Sequence, residues 1–426
     1  MSGLSWEALE AARPEGGLFA GSDWLGSPEP LRLPPKLGKE IRALGDRLER
    51  FVKAADSLYY RSRKGSAPGW LARYLEAGKP EELLRLANHR SQREALPEVL
   101  RPDLLWTEEG LAMTELDSVP GGLGILAWLN QVYAKAGFPE VVGGLDGMRE
   151  GFGALFPEGG EIWLSQESAD YRPEMTWLAS QVEGVEVVPA ESGGQAERVY
   201  RFFELFDLPQ LPAVARLVER LQAGQAEVTA PFKPHLEEKL WLALLWAKPL
   251  EPLWEREMRA SHFEKLRAMV PRGWVVDPTP LPHHAVLPGL EVQDWRDLAG
   301  FTQKERELVL KVSGFSEEAW GSRGVFVGSD LSQREWAAAL DRAIREFPQG
   351  PWLLQQFHKA KRLRHPYFDP ETKEIREMEG RARLCPYYFR TGAGLVLGGV
   401  LATIVPADKK VIHGMRDGIL VPCVFE

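Results

Sequence analysis

The sequence predicts a mixed α/β protein of the α+β kind, with a helical N-terminal region, a small α/β lobe and a larger part rich in strands. Three patterns support this fold class. Apolar residues follow helical spacing across residues 39–60, short strands and helices alternate between about 131 and 215, and strands return after about 306. The 426 residues are enough for two or three domains, or for one large catalytic module with attachments.

Composition narrows the class of function. A net charge of -9 argues against a general nucleic-acid binder, whose affinity depends on basic residues. No apolar run is long enough to span a membrane, and the N-terminus lacks the basic start and apolar core of a signal peptide. The two cysteines are too few for a disulfide framework, and no base accompanies Cys385 to make it a nucleophile. We therefore expect a cytoplasmic protein with no nucleic-acid or membrane partner; no pattern indicates its oligomeric state.

The first part of the chain reads as helices broken by proline and glycine. Ile41, Leu44, Leu48 and Phe51 fall on one helical face, and residues 1–100 carry no motif with obvious chemistry. We interpret this region as a helical cover. The next stretch, RPDLLWTEEGLAMTELD, predicts two strands joined at a Glu-Glu-Gly turn.

The later elements follow from alternation and capping signals. Residues 161–167 and 185–189 predict strands on either side of a helix at 173–182, and a leucine-rich helical block covers about 212–270. Further strands are predicted in ELVLKVSG, GVFVG, PWLLQQF, ARLCPYYF and GLVLGGVLATIV. Between the second and third of these, Ser332 and Glu335 form the capping-box pattern of a helix start.

The strand pair after residue 100 carries a cluster of acids. A three-residue turn centred on Glu109 would place Asp103 opposite Glu115 and Arg101 opposite Asp117, with all four side chains on one face. Carboxylates that face each other across a ladder repel, and a divalent cation would remove that repulsion. Magnesium favours carboxylate oxygens together with water and phosphate oxygens. Arg101 would then contact a phosphoryl group or a developing oxyanion.

A solvated acidic hairpin is the alternative interpretation of this cluster. The loop that follows it, residues 118–124, runs into a helical pattern, and free N–H groups at a helix start can receive an anion. Acids, an arginine and this loop within a short stretch favour a functional site. Tyr171, Arg172 and Glu174 in the small lobe either face that site or serve as helix caps.

A second group of candidates begins at Lys311, which ends an apolar strand and precedes a glycine-containing loop. A lysine at that position can neutralise phosphate oxygens, while Gly321, Ser322 and Gly324 allow backbone amides to approach them. The spacing fits neither the P-loop motif nor the dinucleotide-binding motif. The loop is either an ordinary turn or a phosphate contact of another kind, and its position before a strand, a helix and a further strand favours the second interpretation.

The strands that follow add two candidates for nucleotide binding. Gln355, Gln356 and Phe357 lie at a strand end, where amide and aromatic groups can contact the edge and face of adenine. Arg381 and Arg383 are either surface charges or triphosphate contacts, and we favour the second role for Arg383.

These motifs together resemble the ATP-grasp superfamily. RPDLLWTEEGLAMTELDSVPGG resembles the magnesium motif of the D-alanine–D-alanine ligases, LVLKVSG and AWGSRGV resemble the ATP lysine and phosphate-covering loop, and WLLQQF resembles the adenine hinge. The metal motif precedes the lysine here, an order similar to that of the circularly permuted branch containing the glutathionylspermidine synthetases. LALLWAKPLEPLWER also resembles that branch, with Lys248 matching its first ATP-contacting lysine.

The resemblance implies a role for each matching position. Asp103, Glu115 and Asp117 would hold Mg²⁺; Lys248 and Lys311 would contact phosphates; Gly321, Ser322 and Gly324 would cover them; Gln355, Gln356 and Phe357 would hold adenine; Arg101 would stabilise the transferred phosphoryl group. The family's usual asparagine is Asp117 here, which keeps an oxygen ligand and adds a negative charge. The implied parts are a helical region at 1–100, a magnesium-binding part at 101–130, a small lobe at 131–215 and a nucleotide-binding part at 216–426.

The implied function is an ATP- and Mg²⁺-dependent ligase that joins a small-molecule carboxylate to an amine through an acyl phosphate. No residue pattern identifies either substrate. Two alternatives are a phosphotransferase of the same fold and a non-catalytic protein that binds a nucleotide or a partner.

Overall fold

The computed structural model describes residues 3–19, 24–319, 323–410, 412 and 417–426. The chain divides into two compact units. Unit 1 comprises Met1–Glu49, Asn88–Phe232 and Lys359–Glu426, and unit 2 comprises Arg50–Ala87 and Lys233–His358. Both units combine sheets with helices, which confirms the mixed α/β class.

The strands of the described residues are β1 (Leu31–Leu33), β2 (Val99–Trp106), β3 (Leu111–Asp117), β4 (Gly160–Leu164), β5 (Val185–Pro189), β6 (Arg198–Phe202), β7 (Glu227–Thr229), β8 (Gly273–Val275), β9 (Leu308–Lys311), β10 (Val325–Val327), β11 (Leu353–Gln356), β12 (Arg362–Phe368), β13 (Ile375–Thr391), β14 (Gly394–Pro406) and β15 (Ile419–Phe425). The α-helices of the same residues are α1 (Trp6–Ala11), α2 (Pro35–Arg63), α3 (Gly69–Glu76), α4 (Glu81–Ala87), α5 (Leu123–Lys135), α6 (Gly147–Gly153), α7 (Arg172–Ser180), α8 (Ala213–Gln222), α9 (Trp241–Leu244), α10 (Glu251–Met258), α11 (Ala260–Met269) and α12 (Gln333–Glu346). The described helices lack one that is long and apolar enough to cross a membrane.

Unit 1 contains a large mixed sheet with the strand order β1-β15-β14-β13-β2-β3, and β12 pairs with β13. The first pair, β1 with β15, is parallel, whereas β13 is antiparallel to both β14 and β2. Helices α5 and α6 pack against this sheet. Most of the side chains of α5 are buried, as expected for a helix that is apolar around most of its circumference.

The hairpin of β2 and β3 differs from the predicted three-residue turn. The last pair of the ladder is Trp106 with Leu111, so the turn contains four residues. The backbone N–H of Thr107 donates to the carbonyl of Gly110 at 2.8 Å, and the Thr107 hydroxyl donates to the same oxygen at 3.1 Å. Gly110 has a φ of 143°, a region that favours glycine. The predicted turn was therefore wrong by one residue.

A β-bulge compensates for that residue. The register shifts beside Asp103, where Thr114 is the extra residue of the bulge, so that Asp103 lies opposite Glu115 and Arg101 opposite Asp117. The predicted pairing of these four positions is confirmed. It arises from the longer turn and the bulge together, because either alone would place the acids of the two strands on opposite faces.

Unit 1 also contains a parallel sheet with the order β5-β4-β6-β7. Helix α7 connects β4 to β5, and α8 connects β6 to β7. The predicted β-α-β rhythm of the small lobe is confirmed. The order reverses at β4, since β5 lies on one side of it and β6 on the other.

Unit 2 contains an antiparallel sheet with the order β10-β9-β11-β8, against which α12 packs. The predicted capping box at Ser332 and Glu335 is present, with both reciprocal hydrogen bonds. Trp336, Leu340 and Ile344 of α12 are buried in a core with apolar residues of the sheet. This core fixes β9 and β11, the strands that carry Lys311 and Gln355.

Candidate active site

One face of three neighbouring strands in unit 1 carries the predicted acids. We call Arg101, Asp103, Glu115, Asp117 and Arg383 the carboxylate face. The Nε of Arg101 lies 3.1 Å from Oδ1 of Asp103, and its Nη2 lies 3.3 Å from Oδ2 of Asp117. From β13, Nη1 of Arg383 donates to Oδ2 of Asp103 at 3.0 Å. The structure thus brings Arg383 to the acids.

Two guanidinium groups provide positive charge beside the acids, where the sequence predicted a divalent cation. Burial alone lowers the pKa of Arg101, but the carboxylates of Asp103 and Asp117 outweigh it and raise that pKa well above its usual value. The pKa of Arg383 is raised in the same way by Asp103, against the effect of its own burial. Burial raises the pKa of Asp117, opposed by Arg101. The arginines therefore relieve much of the repulsion between the acids, and the magnesium site stays a prediction.

Two further residues of β13 reach this face. The thiol of Cys385 donates to Oδ1 of Asp103 at 3.4 Å, and the Tyr387 hydroxyl donates to the carbonyl of Gly121 at 2.7 Å. Burial, followed by the Asp103 charge, raises the pKa of Cys385 to about 12, which keeps the thiol protonated at neutral pH. The sequence signal for both residues was their period-two spacing after Arg383.

The loop after β3 does not present a free anion site. The N–H groups of Gly122 and Ile125, at the start of α5, donate to the carboxylate of Glu174 at 2.8 and 3.1 Å. A Cβ on Gly124 would lie 2.2 Å from the carbonyl oxygen of Glu174, so the glycine permits this close approach. The predicted role of the loop as an anion receptor is corrected: a carboxylate of the protein already caps the helix.

Glu174 is a buried acid in an unusual environment. Burial raises its pKa to about 7, although hydrogen bonds from Gly122 and Ile125, and the charge of Arg101, each lower it. The Tyr171 ring lies against Gly121, where a Cβ would come within 2.2 Å of the ring. Arg101 also donates to the carbonyl of Gly121, at 3.2 Å. The loop therefore connects the carboxylate face to helix α7.

The described residues do not include three His, Cys, Asp or Glu side chains that converge on one metal position. Asp103, Glu115 and Asp117 are thus not a preformed cage. Their donor chemistry still fits magnesium, which usually takes one or two carboxylates and keeps water or phosphate oxygens in its remaining positions. A magnesium ion at this face would have to bring such oxygens with it.

In unit 2, the structure brings Lys311 and Gln355 together. Lys311 ends β9, and its Nζ donates to Oε1 of Gln355 on the neighbouring strand at 3.1 Å. The side-chain amide of Gln355 donates to the carbonyl of Pro271 at 3.4 Å. Gln355 is buried and holds the lysine in place, a role that the sequence did not suggest.

The other predicted nucleotide contacts of unit 2 differ in setting. Gln356 is exposed and Phe357 is half-buried, and both are bound to neighbouring strand ends through their backbone N–H groups. Gly324 packs closely, because a Cβ there would lie 2.3 Å from Cγ1 of Val312. Gly321 and Ser322 lie outside the described residues. The nucleotide contacts of all five residues stay predictions.

Lys248 lies at the surface of unit 2. Its side chain is 86% exposed, and its Nζ lies 3.4 Å from Oε2 of Glu251, one turn further along the chain. Its predicted phosphate contact stays a prediction.

Comparisons with known proteins bear on the fold. A glutathione synthetase-like effector from Globodera pallida, in its apo form, superimposes with a TM-score of 0.59 over 99% of this chain and 96% of its own, at 11% identity. The chain shares that fold. A candidate gamma-glutamylcysteine synthetase from Methylobacillus flagellatus gives a TM-score of 0.40 at 12% identity, over 90% of this chain and 88% of its own. No protein-family model matches the sequence, and no curated protein does.

Proposed function

We propose that this protein is an ATP- and Mg²⁺-dependent ligase that joins a carboxylate to an amine, built on an ATP-grasp fold in circularly permuted order. The observation that supports it best is the carboxylate face. There Asp103 is bound by two guanidinium groups, Arg101 and Arg383, while Glu115 and Asp117 lie on the same side of the sheet. Acids and arginines combined in this way suit a site for phosphate and magnesium together.

The acids would hold the metal. Asp103, Glu115 and Asp117 supply carboxylate oxygens on one face, and magnesium there would neutralise charge on the phosphate oxygens of ATP. Three carboxylates against two guanidinium groups leave one negative charge in excess when every acid is ionised. An added cation is therefore favoured electrostatically, even though the arginines already balance most of the charge.

The reaction needs positioning and charge stabilisation from the protein. A carboxylate oxygen of the first substrate attacks the γ-phosphorus of ATP, and ADP leaves. The amine then attacks the carbonyl carbon of the acyl phosphate, phosphate leaves, and the nitrogen gives up a proton. Arg101 and Arg383 would stabilise the charge of the transferred phosphoryl group, because Asp103 fixes both guanidinium groups in place. Lys311 would neutralise phosphate oxygens of the nucleotide.

The shared fold supports the proposal at a coarse level. The matching effector from Globodera pallida is named as glutathione synthetase-like, which accords with a ligase. At 11% identity that name says nothing about the substrates of this chain. The proposal therefore depends on the residues of the carboxylate face and of the Lys311 strand.

Hydroxylamine provides a test that needs no knowledge of the amine. The protein is incubated with ATP, magnesium and a panel of amino-acid, peptide and dicarboxylate substrates, and hydroxamate and ADP are measured. Substrates labelled with ¹⁸O in the carboxyl group should pass one label to inorganic phosphate, since the acyl phosphate carries one carboxyl oxygen to the phosphorus. ADP release without hydroxamate, and with a stable phosphorylated product, would indicate a phosphotransferase. Absence of magnesium-dependent ADP release with the whole panel would contradict the proposal.

A further inference from the structure

A buried ion pair in unit 2 contacts the backbone just after Lys311. The ammonium of Lys79 binds Oε1 of Glu238, and both side chains are 1% exposed. The other carboxylate oxygen of Glu238 accepts a hydrogen bond from the Ser313 hydroxyl and one from the N–H of Gly314, the latter at 3.2 Å. Glu238 thus joins the turn after α3 to the residues that follow β9.

The approach of these segments is close on both sides of Glu238. A Cβ on Gly314 would lie 2.3 Å from the carbonyl oxygen of Glu237, so any larger residue would displace the chain. Lys239 donates to the carbonyl of Ala319 at 2.9 Å. Two consecutive residues, Glu238 and Lys239, therefore hold the segment after β9 at two points.

Stability alone does not explain a pair of this kind. Removing two charges from water costs free energy that their attraction often only balances, so a buried ion pair is weak evidence for stabilisation. The Glu238 carboxylate does, however, provide acceptors in two directions, one toward Lys79 and one toward Ser313 and Gly314. An apolar side chain of the same size would fill the volume without fixing the backbone after Lys311.

We propose that Glu238 is a positioning residue that fixes the strand end carrying Lys311 for contact with a nucleotide phosphate. This inference rests on the proposed ATP-binding role of Lys311. Gln355 holds the side chain of Lys311, and Glu238 binds the Ser313 hydroxyl and the backbone N–H of Gly314, two and three residues after it. Both restraints reduce the freedom that the lysine would lose on binding a phosphate, so removing either weakens binding.

The test compares Glu238→Gln and Ser313→Ala with wild type, using calorimetric titration of ATP with magnesium chloride in the absence of other substrates. Ser313→Ala removes one hydrogen bond to Glu238 and leaves the ion pair with Lys79 intact. It therefore tests the same contact if Glu238→Gln fails to fold. Both variants should raise the Kd for ATP about fivefold, less than the loss of Lys311 itself, because a freer strand end loses more conformational freedom when the phosphate binds. Hydrogen exchange should increase in the peptides that cover residues 312–319.

Asp56→Asn is the matched control. Asp56 also forms a buried cluster in unit 2, accepting from Nζ of Lys233 at 2.9 and 3.0 Å and lying 2.8 Å from Nε2 of His235. The same change from carboxylate to amide at Asp56 should lower the melting temperature of the protein. The Kd for ATP should stay within about twofold of that of wild type. An equal loss of affinity in Asp56→Asn would show that the Glu238 effect is general destabilisation, and would overturn the inference.

A double-mutant cycle separates this inference from the function on which it rests. If Glu238 acts through Lys311, Glu238→Gln should weaken ATP binding in wild type but add less than about twofold in the Lys311→Ala background. Additive losses, or unchanged affinity in Glu238→Gln and Ser313→Ala, would refute the positioning role while leaving ATP binding established. Failure of wild type to bind ATP would contradict the proposed function itself, and this inference with it.

Discussion

The carboxylate face of unit 1 and the end of β9 in unit 2 hold their charged residues in different ways. On the carboxylate face, opposite charges meet directly, with Asp103 between Arg101 and Arg383. At the end of β9, Lys311 binds the neutral amide oxygen of Gln355, and Glu238 of the Lys79–Glu238 ion pair accepts a hydrogen bond from the backbone N–H of Gly314. In the first region, ion pairs join the candidate residues to each other. In the second, one ion pair holds the segment that follows the candidate lysine.

The two regions therefore differ in how their charged side chains are held before a ligand binds. On the carboxylate face, a cation or phosphate would bind beside ion pairs that are already formed, so it would share charged groups that Asp103 holds in place. The strand end of Lys311 is held before any ligand binds, and in the proposed function Lys311 would exchange the amide oxygen of Gln355 for a phosphate oxygen. We expect changes on the carboxylate face to affect turnover and unfolding, and changes at Lys311 to affect nucleotide affinity. Three of the following experiments test that division, and one tests Glu174, which binds the loop next to the carboxylate face.

The largest effect is expected from Glu115→Ala. Loss of one carboxylate from the predicted magnesium ligands should lower turnover by about a thousandfold or more, because the charge of the transition state loses its metal, while ATP affinity stays near that of wild type. Hydroxamate formation and calorimetric titration measure the two quantities. Glu109→Ala, an exposed acid in the turn of the same hairpin, is the control and should match wild type in both. Normal product formation by Glu115→Ala would refute the metal assignment.

The next effect concerns the pH dependence of unfolding at Glu174. The folded protein binds the carboxyl proton with a pKa of about 7, against 4.5 for the ordinary group, so this acid stabilises the fold fully below about pH 4.5 and loses that contribution as the pH rises through 7. The difference in unfolding free energy between wild type and Glu174→Gln should therefore fall by about 3 kcal/mol from acidic to mildly alkaline pH. Urea titrations at a series of pH values measure it. A difference that does not vary with pH would contradict the raised pKa.

A smaller effect is expected from Arg383→Met. Asp103 keeps Arg101 but loses one of its two guanidinium partners inside the protein, which should lower the free energy of unfolding by about 2 kcal/mol. Arg362→Met is the control, because Arg362 pairs with Glu379 at the surface and such pairs contribute about 0–1 kcal/mol. Equal urea midpoints for the two variants would show that the carboxylate face is no more sensitive than a surface pair.

The smallest effect is expected from Lys311→Ala. Loss of one ammonium–phosphate contact should raise the Kd for ATP about tenfold. The unfolding free energy should fall by about 1 kcal/mol, because the buried amide oxygen of Gln355 loses a donor. Lys304→Ala, an exposed lysine shortly before the same strand, serves as the control in the same calorimetric titration. If the two variants bind ATP equally well, Lys311 has no special role in nucleotide binding.

Local patterns were sufficient to predict much of the fold. Helix α12 was readable from its capping box and apolar stripe, and the strands of the small lobe from their alternation with helices. The carboxylate face was readable because its acids lie on one hairpin. The sequence could not reveal Glu174 as the cap of α5, since it lies 52 residues from Gly122. Nor could it pair Lys79 with Glu238, which lie 159 residues apart. Such contacts depend on tertiary packing, which no local period encodes.

The bulge at Thr114 determines on which face of the sheet Glu115 and Asp117 lie. Successive residues of a strand point to opposite faces of the sheet. A hairpin whose turn gains one residue therefore moves every side chain of its second strand to the other face. Thr114, the extra residue of the bulge, returns Glu115 and Asp117 to the face of Asp103. Deletion of that single threonine would leave the composition of the hairpin almost unchanged, yet it would turn Glu115 and Asp117 away from Asp103. A comparison of sequences by residue identity alone would rate such a deletion as minor, although it would dismantle the carboxylate face.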